Sequence, residues 1–135
     1  MLTASSGYAL DAAQLMPELT WEKRVLLVFA ANERGIGFQR QEAILELIGG
    51  GLIERDMIVI RAFADNRVFI DGQSRGLSAA SFYRRFAVDG NDFRVILVGK
   101  DGTVKLDRDS AVTGNELFAL IDSMPMRRSE MVQDD

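Results

Sequence analysis

The chain has 135 residues, 47% hydrophobic and 27% charged, with a formal net charge of −4. It contains no cysteine and no histidine, which excludes thiol redox chemistry, Cys or His nucleophiles, and zinc or haem held by either residue. The acidic balance argues against a broad nucleic-acid surface, and no apolar run is long enough to span a bilayer.

The length suits one domain with a core of its own. Met1 to Ser6 lacks the basic region and long apolar stretch of a signal peptide. Residues 1–20 are expected to form a lead-in, with a short helix from Leu10 to Met16 stopped by Pro17. Val25 to Ala30 is apolar at every position, the pattern of a strand covered on both faces in a parallel sheet. Ala31 to Gly37 is a polar loop. The spacing then predicts an amphipathic helix over Phe38 to Ile48, with Phe38, Ile44, Leu45, Leu47 and Ile48 inward and Arg40, Glu42 and Glu46 outward. Gly49-Gly50-Gly51 should end it.

Met57 to Ala64 reads as a second strand, and Val68-Phe69-Ile70 as a short edge strand before the Asp71-Gly72 turn. Ser78 caps a helix running through Phe86. Phe93 to Val98 and Thr103 to Leu106 form a hairpin about Asp101-Gly102. Thr113 and Glu116 make a capping box that opens a helix halted before Pro125. The domain proper spans 21–131, and 132–135 is expected to be a disordered tail.

Strand, helix, strand, helix, hairpin, helix is the order of the thioredoxin-like α/β fold, a mixed four- to five-stranded sheet with helices on both faces. Five stretches carry a more specific likeness: Trp21 to Ala30, Phe38-Gln39-Arg40-Gln41, Glu54-Arg55-Asp56-Met57, Phe93 to Lys105, and Met124 to Met131. Together they resemble the P-DUDES domain, a thioredoxin-like and distantly peroxiredoxin-like domain of unknown function. That domain occurs in small bacterial proteins, often exported, and in animal sushi-repeat matrix proteins. The resemblance implies the fold and an extracytoplasmic (periplasmic or extracellular) setting, and supplies no catalytic residues.

The first candidate site is the loop after the first strand, Asn32, Glu33, Arg34 and Gly35, with Phe38 at the head of the following helix. Helix amides and Arg34 could receive a carboxylate or phosphate there, although Glu33 opposes an anion and a solvated connector would look the same. Redox members of the fold place their thiol at this point. The doublets Arg84-Arg85 and Arg127-Arg128 form a candidate anion patch, or else pair with surface acids. Asp56, Asp65, Asp71, Asp89, Asp92 and Asp101 lie mostly at element ends, where turn and cap chemistry accounts for them. Trp21 is expected to cover the sheet edge.

The preferred function is therefore a non-catalytic domain that binds a protein or a small anionic ligand, with no catalytic residue, metal or cofactor. Two alternatives stay open. One is an enzyme using arginine, carboxylate or metal chemistry at the loop after the first strand, which requires two or more of Glu33, Arg34, Arg55, Asp56 and Arg61 to share a concave pocket. The other is a self-associating module, a homodimer formed by strand addition at Val68-Phe69-Ile70.

Overall fold

All seven residues of β1 (Arg24–Ala30) are buried, so the strand needs cover on both faces and partners along both edges. In the computed structural model, which describes residues 11–134, it has both. Strand β2 (Met57–Phe63) pairs with it in parallel and β5 (Arg94–Val98) antiparallel. Beyond them lie β3 (Val68–Ile70), β4 (Gln73–Arg75) and β6 (Val104–Arg108), giving a six-stranded sheet of order β4-β3-β2-β1-β5-β6. The sheet is mixed, as expected, with one strand above the expected count.

Alternation along β1 divides the core. Val25, Leu27 and Phe29 face α1 (Ala12–Leu19) and α4 (Ala79–Arg85), where Met16, Phe82 and Tyr83 complete the packing. Leu26, Val28 and Ala30 face α2 (Ile36–Leu47), α3 (Gly49–Glu54) and α5 (Gly114–Asp122), through Phe38, Leu45, Leu52, Leu117 and Ile121. A sixth helix, α6 (Pro125–Asp134), follows. The Thr113–Glu116 capping box forms as expected.

Several local expectations are corrected by long-range packing. Pro17 lies inside α1 instead of stopping it. The carbonyl that loses its donor belongs to exposed Ala13, where water can serve it, while Ala12 and Met16 are buried and the Ser81 hydroxyl accepts the Ala12 N–H at 2.8 Å. Helix α2 ends at Leu47, just before Gly49-Gly50-Gly51 as expected, but the glycines are themselves helical and open α3. Its last glycine admits a close neighbour, since a Cβ at Gly51 would stand 2.5 Å from the Phe118 ring of α5.

Helix α2 buries Phe38, Gln41 and Leu45, a stripe that leaves Leu47 86% exposed instead of inward. Gln41 can be buried because its amide bonds both the N–H and the C=O of Val112, at 2.8 and 3.1 Å. Val68-Phe69-Ile70 is not an edge, because Asp71 (φ 49°) and Gly72 (φ 85°) make a tight turn that folds β4 back onto β3. The sheet edge there is β4, so the strand proposed for self-association is paired on both sides. Trp21, expected to cover the sheet edge, is 61% exposed. Residues 132–134 are helical in α6, not a disordered tail, and Asp135 lies outside the described residues.

Candidate functional site

The loop after β1 is held by its own polar groups. Asn32 Oδ1 accepts the Arg34 N–H at 2.8 Å. The Glu33 carboxylate receives two bonds from the Arg67 guanidinium, at 2.5 and 2.8 Å, and the same guanidinium bonds Asp65 and lies 4.6 Å from the Phe63 ring centre. These bonds from Arg67 hold the Glu33 pKa down at about 2. Beneath the loop, the Tyr83 hydroxyl points to the Ala30 and Ala62 carbonyls at 3.1 and 3.0 Å, and burial pushes its pKa up to about 12. Arg34 is exposed and forms no ion pair among the described residues.

The larger concavity lies beside this loop. The residues of β2 that point to the second core are Met57, Val59, Arg61 and Phe63, in strict alternation; with Phe69 of β3 and the facing side of α2 and α3 they enclose an open groove of about 750 Å³. Its floor is apolar, with Phe38, Leu45, Leu52, Met57, Val59 and Phe63 buried and Phe69 partly so. The Phe38, Phe63 and Phe69 rings run in sequence, with centroids 5.2 and 5.9 Å apart. The rim carries Glu33, Glu42, Glu46 and Asp71 against one guanidinium, that of Arg61, which is bound to Glu42 at 2.6 Å.

Of the loop residues singled out in the sequence, Glu33 and Phe38 line this groove. Asn32 and Phe38 line a separate hollow of about 170 Å³ with Asn91 and Phe93, and Arg34 lines neither. Glu33 and Arg61 thus share a concave surface, but each is bound to an internal partner, and Arg55 and Asp56 lie elsewhere. The groove residues of β2 and α3 carry no motif; what marks them in sequence is the alternation of β2 and the outward acids of α2. The turn acids serve turns: Asp71 accepts the Val59 N–H, and Asp101 accepts from Thr103 and Lys105.

The expected anion patch loses Arg127. That side chain is buried and bound to Asp122 and Glu54, at 3.1 and 2.7 Å. Arg84 and Arg85 stand exposed in the last turn of α4 on the other face of the sheet, and Arg128 is exposed on α6. Arg127 belongs to a network at the base of the sheet. Arg24, 1% exposed, forms two bonds with Glu130, at 3.1 and 3.2 Å; Lys100 binds Glu130 and Asp56, at 2.7 and 2.8 Å; Arg55 binds Asp122 at 2.9 Å and stacks on Phe118.

The network makes stability pH-dependent. Burial works against the charge on Glu130, but bonds from Arg24 and Lys100 outweigh it, so its pKa is lowered. Asp56 is lowered by its bond from Lys100, and Asp122 by its bond from Arg55. A carboxylate with a depressed folded pKa stabilises fully above its unfolded pKa and loses that contribution as pH falls through the folded value. Urea melts should therefore show constant stability from neutrality down to about pH 5 and a progressive loss toward about pH 2. A stability rising below pH 5 would contradict the pairing.

Comparison with known proteins places this geometry. Solved structures that share the fold include Plasmodium yoelii Prx1a modified at its N-terminus (TM-score 0.61, 15% identity, 84% of this chain and 80% of that one), reduced Plasmodium vivax 2-Cys peroxiredoxin (0.61, 14%, 84% and 83%) and Plasmodium yoelii thioredoxin peroxidase I (0.60, 16%, 84% and 79%). At these identities the likeness is one of fold, which is thioredoxin-like. No curated protein matches the chain. The family described as "Domain of unknown function (DUF4174)" matches residues 15–130, nearly the whole of the described fold, and the chain belongs to that family.

Proposed function

We propose that the chain is a non-catalytic thioredoxin-like domain that binds another polypeptide through the groove between α2–α3 and the β2–β3 half of the sheet. The observation that carries this reading is the groove itself, open to solvent over an apolar floor with exposed Ile53 on its wall, while Glu33, Glu42 and Arg61 beside it are held by internal partners. Concave, mostly apolar surfaces with a few fixed polar groups are the usual form of a binding site. A small anion fits the groove poorly, because four carboxylates face it. The resemblance to the P-DUDES domain, for which no reaction is assigned, agrees with a binding role, and an extracytoplasmic setting is part of the same proposal.

Chemistry supports the non-catalytic half of the reading. With no cysteine, peroxide reduction through a sulfenic acid has no starting group. Peroxide consumption in excess dithiothreitol, after subtraction of the rate without protein, should not exceed the six methionines of each chain, and corrected consumption that continues beyond that stoichiometry would contradict the reading. The binding half is tested on an array of random dodecapeptides probed with wild type and with Ile53→Asp, a change at an exposed groove residue. Wild type should retain a subset of peptides that Ile53→Asp loses. An array on which the two proteins give the same pattern would defeat the proposal.

A further inference from the structure

We infer that the occupant of this groove is a cationic polypeptide segment, with apolar side chains seated on the floor and lysine or arginine facing the rim; the inference rests on the binding reading above. The rim sets the sign. Glu33, Glu42, Glu46 and Asp71 face the groove against two guanidiniums, Arg61 on Glu42 and Arg67 on Glu33, which leaves the rim net acidic, and the chain as a whole carries −4, so both the local and the long-range field draw cations and repel anions. Glu46 is exposed and forms no ion pair among the described residues, so its charge is free for a partner.

The protein already shows this chemistry at one end of the groove. There the Arg67 guanidinium is clasped by Glu33 and rests on the face of Phe63, both of them groove residues. A carboxylate beside an aromatic floor is a favourable seat for a guanidinium or ammonium group. A polypeptide, more than a compact small molecule, suits the extent of the surface. Ile53 on the wall is 76% exposed, so apolar surface reaches the lip and faces solvent there. Apolar surface that extends in this way is typical of protein-binding sites.

The test uses three short dye-labelled peptides with one shared pattern of leucine and phenylalanine, their other positions all lysine, all serine or all glutamate. Fluorescence anisotropy against the intact chain should give the lysine peptide an affinity about tenfold above the serine peptide, with the glutamate peptide weakest. Added salt should narrow the difference. Glu46→Lys should remove most of the lysine preference, and Ile53→Ser should weaken all three peptides alike. Equal binding of the serine and lysine peptides overturns the charge assignment and leaves the groove reading standing. Binding of none of the three defeats the groove reading itself. Lysine-peptide binding unaffected by both Glu46→Lys and Ile53→Ser means attraction to a generally acidic surface, and overturns the inference.

Discussion

Glu130→Ala should cost about 3–5 kcal/mol, the range for breaking a buried ion pair by removing one partner. The reason lies with what remains. Arg24 is 1% exposed, its Nε has no partner, and without Glu130 its guanidinium keeps only the Arg55 carbonyl at 2.8 Å. Lys100 keeps Asp56 but loses its second carboxylate. The same change removes one of two α6 anchors, since Glu130 is the α6 residue that binds both cations, and leaves the helix held by Arg127 on Glu54 and Asp122. A domain of this kind has only about 5–15 kcal/mol of stability in total, so the variant should melt far below wild type. Glu130→Gln, which keeps the shape and one acceptor, should fall between. Glu18→Ala, on the exposed side of α1, should stay within about 0.5 kcal/mol of wild type. A Glu130→Ala loss as small as that of Glu18→Ala would mean that water reaches Arg24 and that the network carries no weight.

Leu27→Ala should cost about 2–5 kcal/mol. Leu27 lies at the middle of β1, between Ile60 of β2 and Ile96 of β5, with all three side chains essentially inaccessible. Its face of the sheet is covered by α1 and α4. Deleting its branched end leaves a cavity that the strands on either side cannot close without breaking register. Urea denaturation followed by circular dichroism measures the loss. A value below about 1 kcal/mol would mean that β1 is less enclosed than its neighbours require.

The two sites also show which features local sequence encodes. β1 was legible because six apolar residues in a row, Val25 to Ala30, mark a strand covered on both faces, and the α5 capping box because Thr113 and Glu116 satisfy each other's backbone within four residues. Gly49-Gly50-Gly51 marked the end of α2 but not the start of α3, and the need for glycine at Gly51 depends on Phe118, far along the chain. Pro17 stays in a helix because α4 and Ser81 hold the helix from outside. The candidate loop was found, but Glu33 is bound by a residue 34 positions away, so its charge could not be assigned from the loop alone. The groove was missed because its acids read as the solvent face of α2. They are that face, but it borders on an aromatic floor supplied by β2 and β3.

Four of the five stretches singled out in the sequence meet in the ion network. Arg24 comes from the first strand, Glu54, Arg55 and Asp56 from the run before β2, Lys100 from the hairpin turn, and Arg127 and Glu130 from the closing helix; all meet at the base of the sheet. These seven residues fasten α6 to the fold and lie apart from the groove lining, to which the five stretches contribute Phe38 and Met57.

The most direct measurement is amide chemical-shift mapping of the isotope-labelled chain titrated with a dodecapeptide selected on the random array. The account predicts shifts concentrated at Glu42 to Ile53, Met57 to Phe63 and Phe69, the residues around the groove, with α1 and α4 unmoved. Shifts centred on α1 and α4, or spread evenly over the acidic surface, would contradict it.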